Sequence, residues 1–223
     1  MNVTDDPYSE ARAEMLETQL RRRGIKDAAV LEAMAQVPRH EFVPEQAKSL
    51  AYSDEPLGIG GGQTISQPYI VAAMTEALNL RGSEKVLEIG TGCGYQAAVL
   101  AQLAREVYTV EVRGELARSA AERLERLGYG NVHVHCGDGS MGLKEFAPYD
   151  AILVAAAAPE FPQPLLEQLN EETGRLIAPI GNEDRQQLFL VKRQGATYTT
   201  EHREGCRFVP LIGRHGWKEW GLL

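Results

Sequence analysis

Up to about Leu80, apolar side chains recur at near-helical spacing: Met15, Leu16 and Leu20 before Gly24, then Val30, Leu31, Met34 and Val37 ahead of Pro38. Punctuated by a glycine and a proline, that spacing predicts short helices. A glycine-rich loop from Asp54 to Pro68 comes next, and Ile70, Val71, Met74 and Leu78 resume a helical stripe. From Lys85 the period changes. Short β-rich runs, Val86-Leu-Glu-Ile, Val107-Tyr-Thr-Val and Ala151-Ile-Leu-Val, alternate with longer helical stretches, among them Gln96 to Ala104. Such alternation predicts βαβ units: an α/β fold with a mostly parallel sheet and helices on both faces. The late runs Arg175-Leu-Ile-Ala, Leu188-Phe-Leu-Val and Ala196-Thr-Tyr-Thr lack long helical spacers, so an antiparallel component is expected at that end. Gly205 to Leu223, with Pro210, Gly213 and Gly216, reads as a loop-rich closing segment.

At 223 residues the chain fits one domain better than two, since domains run to roughly 150 residues. Its expected segments are residues 1–80, N-terminal helices and a loop; 81–204, the α/β core; and 205–223, the closing stretch. With 43% hydrophobic and 24% charged residues, the chain can bury enough apolar surface to offset ordering entropy, which excludes wholesale disorder. A net charge of −8 argues against a broad electrostatic grip on nucleic acid, which needs Lys and Arg to neutralise phosphates. No apolar run is long enough to cross a bilayer, and Met1 to Glu10 is acidic and polar, so no membrane association and a cytoplasmic location are expected. Cys93, Cys136 and Cys206 are odd in number and widely spaced, and reduced thiols are the simplest reading.

The sharpest chemical signal is Val86-Leu-Glu88-Ile-Gly90-Thr91-Gly92-Cys-Gly94-Tyr95, a predicted strand entering a glycine-rich turn and then a helix. Glycines let backbone approach a ligand beside a helix N-terminus, and such turns lie where strand order reverses in open α/β sheets. A dinucleotide fingerprint would need glycine at position 95, where Tyr95 stands; a nicotinamide-dependent oxidoreductase is therefore disfavoured. Glu111 closes the next predicted strand, placed to accept hydrogen bonds from both hydroxyls of a ribose. Gly137-Asp138-Gly139 follows the run Val132 to Cys136, and an exposed Asp138 carboxylate there could accept from an adenine amine. Taken singly, Glu111 and Asp138 are equally readable as ordinary strand-end or turn acids. In register with the glycine loop, they point to an adenosine-containing ligand.

Glu-x-Gly-x-Gly-x-Gly with Glu111 and Asp138 resembles the class I S-adenosylmethionine-dependent methyltransferases. Asp54-Glu-Pro-Leu, Gly60-Gly-Gly-Gln-Thr-Ile-Ser-Gln-Pro68, Tyr149-Asp-Ala-Ile-Leu-Val and Arg207-Phe-Val-Pro-Leu211 narrow the resemblance to the protein-L-isoaspartate O-methyltransferase family, from about Met15 to Leu211. The resemblance implies a Rossmann-like methyltransferase sheet and a monomer acting on isoaspartyl-containing proteins and peptides. S-adenosyl-L-methionine would be the methyl donor and S-adenosyl-L-homocysteine the product. Ser66 would be the active-site residue, with Thr64, Ile65, Val209 and Leu211 on the substrate side. Glu88, Gly90, Thr91, Gly92, Gly94, Glu111, Gly137, Asp138 and Gly139 would hold the cofactor. Ala155 stands where the bacterial pattern commonly has threonine, and Gly61 where an aromatic residue or histidine is common.

That chemistry suits these residues. A carboxyl group with a pKa of about 4 is already ionised at neutral pH, so a carboxylate acceptor needs no general base, and no evident His-Asp pair is present. Ser66 precedes a helix with Pro68 in its first turn, where backbone amides favour an anion; it either meets the acceptor or caps the helix. Thr64 is a second hydroxyl contact or satisfies loop backbone. A methyltransferase acting on a small molecule or RNA, and a cofactor-binding module without catalysis, remain alternatives.

Other features invite blander readings. His133 and His135 share one side of a strand but lack further ligands for a metal site, and none is expected. Cys93 reads as a small loop-filling side chain, and Arg21 to Arg23 as a solvated helix end. Ala155 to Ala158 could line a ligand wall or permit close packing. Trp217 and Trp220 belong to a partner-binding tail, a packed flap or a disordered end.

Overall fold

The computed structural model describes residues 6–182 and 184–218. Helix α1 (Ser9–Glu14) continues through a π-helical stretch, Met15–Leu20, into a single 3₁₀ turn, Arg21–Arg23. Gly24 ends it in the left-handed region at φ 99°, the conformation glycine adopts without a steric penalty. Helix α2 (Ala28–Gln36) is capped by the Asp27 carboxylate, which accepts from the backbone N–H groups of Ala29 and Val30. It stops at Val37, extended at ψ 116° as the residue before proline prefers.

The glycine-rich stretch expected as a loop contains a hairpin of β1 (Leu57–Gly60) and β2 (Gln63–Ile65). Gly61 and Gly62 turn it with φ of 59° and 71°, the two positive values that a tight twisted hairpin requires. Helix α3 (Pro68–Leu78) follows, with proline in its first turn and Asn79 left-handed at its end.

The alternating segment folds as β3 (Lys85–Ile89), α4 (Tyr95–Ala101), β4 (Glu106–Glu111), α5 (Gly114–Arg126), β5 (Val132–Cys136) and β6 (Ala151–Val154). Then come α6 (Gln163–Glu167), β7 (Arg175–Gly181), β8 (Gln186–Gln194) and β9 (Thr197–Cys206). One seven-stranded sheet has the order β5-β4-β3-β6-β7-β8-β9. Strands β3 to β7 pair in parallel, and β8 and β9 are antiparallel as expected. Alternate residues serve opposite cores: Val86, Val107, Ala151 and Leu153 face one, and Leu87, Ile89, Val110 and Ile152 the other. Burial on both faces explains why these strands read as continuous apolar runs.

Helix α4 is shorter than its expected span to Ala104. The Asn131 amide donates to the carbonyls of Ala101 and Ala104 at 3.0 and 3.2 Å, closing the helix end with a turn. His133 and His135 both lie against the Tyr108 ring, at 4.9 and 6.2 Å between centroids. No group of three or more His, Cys, Asp or Glu side chains able to hold a metal occurs among the described residues. No helix among them is long and apolar enough to cross a membrane.

Strand order reverses between β3 and β6, so the loop after β3 opens into a crevice at the carboxyl edge of the sheet. The closing segment straps that edge. Ala157 N–H donates to the Val209 carbonyl, and the Ala157 carbonyl accepts from Leu211 N–H and the Trp217 indole N–H. Trp217 therefore belongs to a packed flap, whereas Trp220 lies outside the described residues.

Candidate active site

A cavity of about 600 Å³ opens at the strand-order reversal, walled by the loop after β3, the end of β4, the β1–β2 hairpin, α3 and the closing segment. Thr64, Ile65, Ser66, Gly90, Thr91, Gly92, Glu111, Gly139, Val209 and Leu211 all line it. Residues brought from five parts of the chain thus meet in one space.

The loop after β3 is held rather than free. Gly90 N–H donates to the Val110 carbonyl at 2.8 Å, and Gly92 N–H to Glu111 Oε2 at 2.9 Å. The other Glu111 oxygen accepts from Arg113 N–H at 3.0 Å. One carboxylate therefore ties the glycine loop to the turn after β4. Since an ionised carboxylate has about four acceptor sites, each oxygen keeps capacity for a ligand hydroxyl. Gly90 takes φ 94°, a left-handed conformation that side-chain-bearing residues rarely adopt, whereas a β-carbon there would meet Ala155 only at an ordinary 3.6 Å.

Four of the expected site residues, Glu88, Gly94, Gly137 and Asp138, do not line the cavity. A β-carbon on Gly94 would come within 3.2 Å of Leu124, so this glycine serves the packing of α5 on the loop. Asp138 corrects the expectation of an exposed carboxylate. It is half-buried, its Oδ1 accepting from Ser140 N–H and hydroxyl and its Oδ2 from Arg214 N–H. It clasps the closing segment to the turn after β5.

Glu88 is fully buried under the glycine loop. Its Oε2 accepts from the Thr109 hydroxyl, which bonds in turn to Thr91, while Oε1 has no partner among the described residues. Burial pushes the Glu88 carboxyl up to about 8, reinforced by the nearby Glu111 charge and opposed by the Thr109 bond. The folded protein then keeps a proton that the unfolded chain, with a carboxyl near 4.5, has released. Stability from this group is therefore lost as pH rises between those values. Glu88→Gln removes the titration, so its Tm relative to the parent protein should rise by roughly 5 °C or more between about pH 5 and about pH 8. A Tm difference independent of pH would show that Glu88 ionises normally.

On the opposite wall, helix α3 takes Gln67 as its N-cap, without a side-chain cap bond. Ser66 is therefore not the cap. Neither the Ser66 nor the Thr64 hydroxyl bonds to another described residue, although both line the cavity. Val209 N–H makes no bond among the described residues either, while its carbonyl and both backbone groups of Leu211 are engaged by Ala157 and Trp217.

Several site residues escaped the sequence reading. Val112 is a large apolar side chain left 48% exposed at the cavity. Gln96 lines the cavity while donating to the Thr75 hydroxyl at 2.9 Å. Arg39 lies fully buried, its guanidinium donating to the carbonyls of Ala51 and Ser66 at 2.6 and 2.7 Å. Arg21 to Arg23 are exposed at the helix end as expected, and Arg23 in addition pairs with Asp54 at 3.0 Å and stacks 3.6 Å over the Tyr69 ring. Cys93 is buried, and burial pushes its thiol up, which suits a filler rather than a nucleophile.

A mostly parallel sheet with a glycine turn after its first strand and a carboxylate at the end of the second is the architecture of class I S-adenosylmethionine-dependent methyltransferases. Residues 10–216 match the family model of protein-L-isoaspartate(D-aspartate) O-methyltransferase. Over 215 residues the chain is 53% identical to a protein-L-isoaspartate O-methyltransferase of Dictyoglomus thermophilum, covering 96% of this chain and 97% of the relative. A solved protein-L-isoaspartate O-methyltransferase superposes with a TM-score of 0.83 at 34% identity, covering 92% of this chain and 67% of that one. A Plasmodium falciparum β-aspartate methyltransferase, solved in complex with S-adenosyl-L-homocysteine, aligns at TM-score 0.77 and 25% identity, covering 93% and 99%. The chain belongs to the protein-L-isoaspartate(D-aspartate) O-methyltransferase family.

The cavity suits the family's cofactor. Glu111 retains acceptor capacity for a ribose beside the left-handed Gly90 and Gly92. A second acid, Glu88, lies beneath the loop with one oxygen unpartnered among the described residues.

Proposed function

We infer that this protein transfers a methyl group from S-adenosyl-L-methionine to the α-carboxyl group of L-isoaspartyl residues in proteins and peptides. The observation that carries the reading is the pair of unpartnered hydroxyls, Ser66 and Thr64, facing the same cavity as Glu111 and the glycine loop. When bound, the cofactor supplies a methyl carbon on a sulfonium. A carboxylate oxygen forms the new C–O bond as the C–S bond breaks, and the electron pair goes to sulfur, leaving S-adenosyl-L-homocysteine.

Because the acceptor is ionised before it binds, the protein has no proton to remove. Its work is positioning and exclusion of water. Ser66 and Thr64 donate to the carboxylate, and Val209 N–H is free to pair with the peptide's main chain. Glu111 fixes the ribose, and Gly90 and Gly92 admit the cofactor close to backbone. Gly139 completes the wall; a β-carbon there would collide with Ile89. Gly94, Gly137 and Asp138 support this side from behind. Recognition through main-chain groups rejects normal aspartate, whose carboxylate sits on a different branch, because a misplaced chain leaves buried polar groups unpaired. The methyl ester then activates its carbonyl toward the neighbouring backbone nitrogen, giving a succinimide that hydrolyses partly to aspartate.

We place this activity in a cytoplasmic monomer that binds no nucleic acid; the acidic net charge supports the last point and the three free thiols a reducing compartment. The test is methyl ester formation from labelled S-adenosyl-L-methionine on peptides differing only in isoaspartate versus aspartate. Labelling confined to the isoaspartyl peptide is expected. Cofactor binding with neither peptide labelled would overturn the assignment.

A further inference from the structure

Arg39 is an anomaly that the fold does not explain. It is the largest fully buried side chain described, yet it pairs with no carboxylate among the described residues. Its contacts are the carbonyls of Ala51 and Ser66, and its guanidinium lies 4.7 Å from the Tyr95 ring, itself part of the cavity wall. Nη1 has no hydrogen-bond partner among the described residues. A buried cation without an anion costs several kcal/mol, and tying two carbonyls together would not in itself require one. The cation bonds directly to the backbone of the residue whose hydroxyl faces the cavity.

We propose that Arg39 is a positioning residue for the acceptor carboxylate: it fixes Ser66 through its carbonyl and supplies the positive potential that an anion at Ser66 completes. The inference rests on the methyl-acceptor reading above. Carbonyl dipoles and the Tyr95 ring stabilise the guanidinium only in part, so a substrate carboxylate arriving one residue away offsets the remaining cost. Cofactor contacts lie on the glycine loop and β4, so binding of S-adenosyl-L-homocysteine should be nearly independent of Arg39.

The discriminating experiment compares an isoaspartyl peptide with the same peptide carrying a carboxamide in place of that carboxylate. Both are titrated calorimetrically into protein saturated with S-adenosyl-L-homocysteine. The parent protein should prefer the carboxylate, Arg39→Met should shrink that preference by about tenfold, and Arg39→Lys should restore much of it. KM for the peptide should rise in Arg39→Met while the Kd for S-adenosyl-L-homocysteine stays within about twofold. Equal weakening of both peptides would reduce Arg39 to a structural tie and overturn the proposal.

Should Arg39→Met not fold, the parent protein supplies the second readout. The Arg39 Nε–H resonance, assigned by its loss in Arg39→Lys, should shift on adding the carboxylate peptide and not the carboxamide. Equal shifts with both would sink the idea. If the parent protein neither binds nor methylates the isoaspartyl peptide, the acceptor reading fails instead, and the two failures are distinguishable.

Discussion

Ser66→Ala is expected to lower kcat on an isoaspartyl peptide by about 10- to 100-fold while leaving the Kd for S-adenosyl-L-homocysteine within about twofold. The range is that of one hydrogen bond to a charged group. The Ser66 hydroxyl has no intramolecular partner among the described residues, so its removal leaves no donor or acceptor stranded, and stability should barely change. A cap would behave differently. Removing a capping serine costs about 1 kcal/mol of stability, whereas here Gln67 is the N-cap and uses no side-chain bond. Unchanged kcat with lowered Tm would return Ser66 to the capping role. Because Arg39 holds the Ser66 carbonyl, the Ser66 and Arg39 substitutions should be non-additive, as expected for groups sharing one network.

The sheet was legible because its strands are buried on both faces. Val86 to Ile89 and Ala151 to Val154 have almost no exposed positions, so the apolar runs stand out and their glycine turn can be placed at the carboxyl edge. The β1–β2 hairpin was not legible. Only Leu57 and Ile65 are buried in it, leaving no alternation to read; the remaining cue was the adjacent pair Gly61 and Gly62, which fits a two-residue hairpin turn.

Long-range polar partners were equally hidden. Nothing local to Arg39 marks it as the donor to Ser66, and nothing near Asp138 announces Arg214, because these contacts exist only after the chain has folded. The same holds for Arg23, whose partners Asp54 and Tyr69 come from the hairpin's flanks. Strand periodicity reports which face is buried. It does not report which side chain reaches across.

Glu111→Gln is expected to weaken S-adenosyl-L-homocysteine binding by about 100-fold, measured calorimetrically, with kcat at saturating cofactor much less affected. Both Glu111 oxygens already accept backbone N–H groups, from Gly92 at 2.9 Å and Arg113 at 3.0 Å. An amide has one oxygen, so its NH₂ must face one of those donors, and the displaced backbone carries the glycine loop or the turn bearing Val112 and Arg113 with it. The substitution thus replaces one of the two acceptor oxygens facing a ribose diol with a donor, removes the charge, and loosens the loop that admits the cofactor. Glu111→Asp separates the two effects. It keeps the charge and both acceptors but shortens the reach, so the backbone clasp can survive while the diol contact lengthens. An intermediate loss for Asp and a full loss for Gln would assign binding to the carboxylate itself. Equal losses, together with a lowered Tm in both, would mean that Glu111 acts through the clasp on Gly92 and that the cofactor is held by the loop backbone. Unchanged affinity in both variants would remove Glu111 from the binding site altogether.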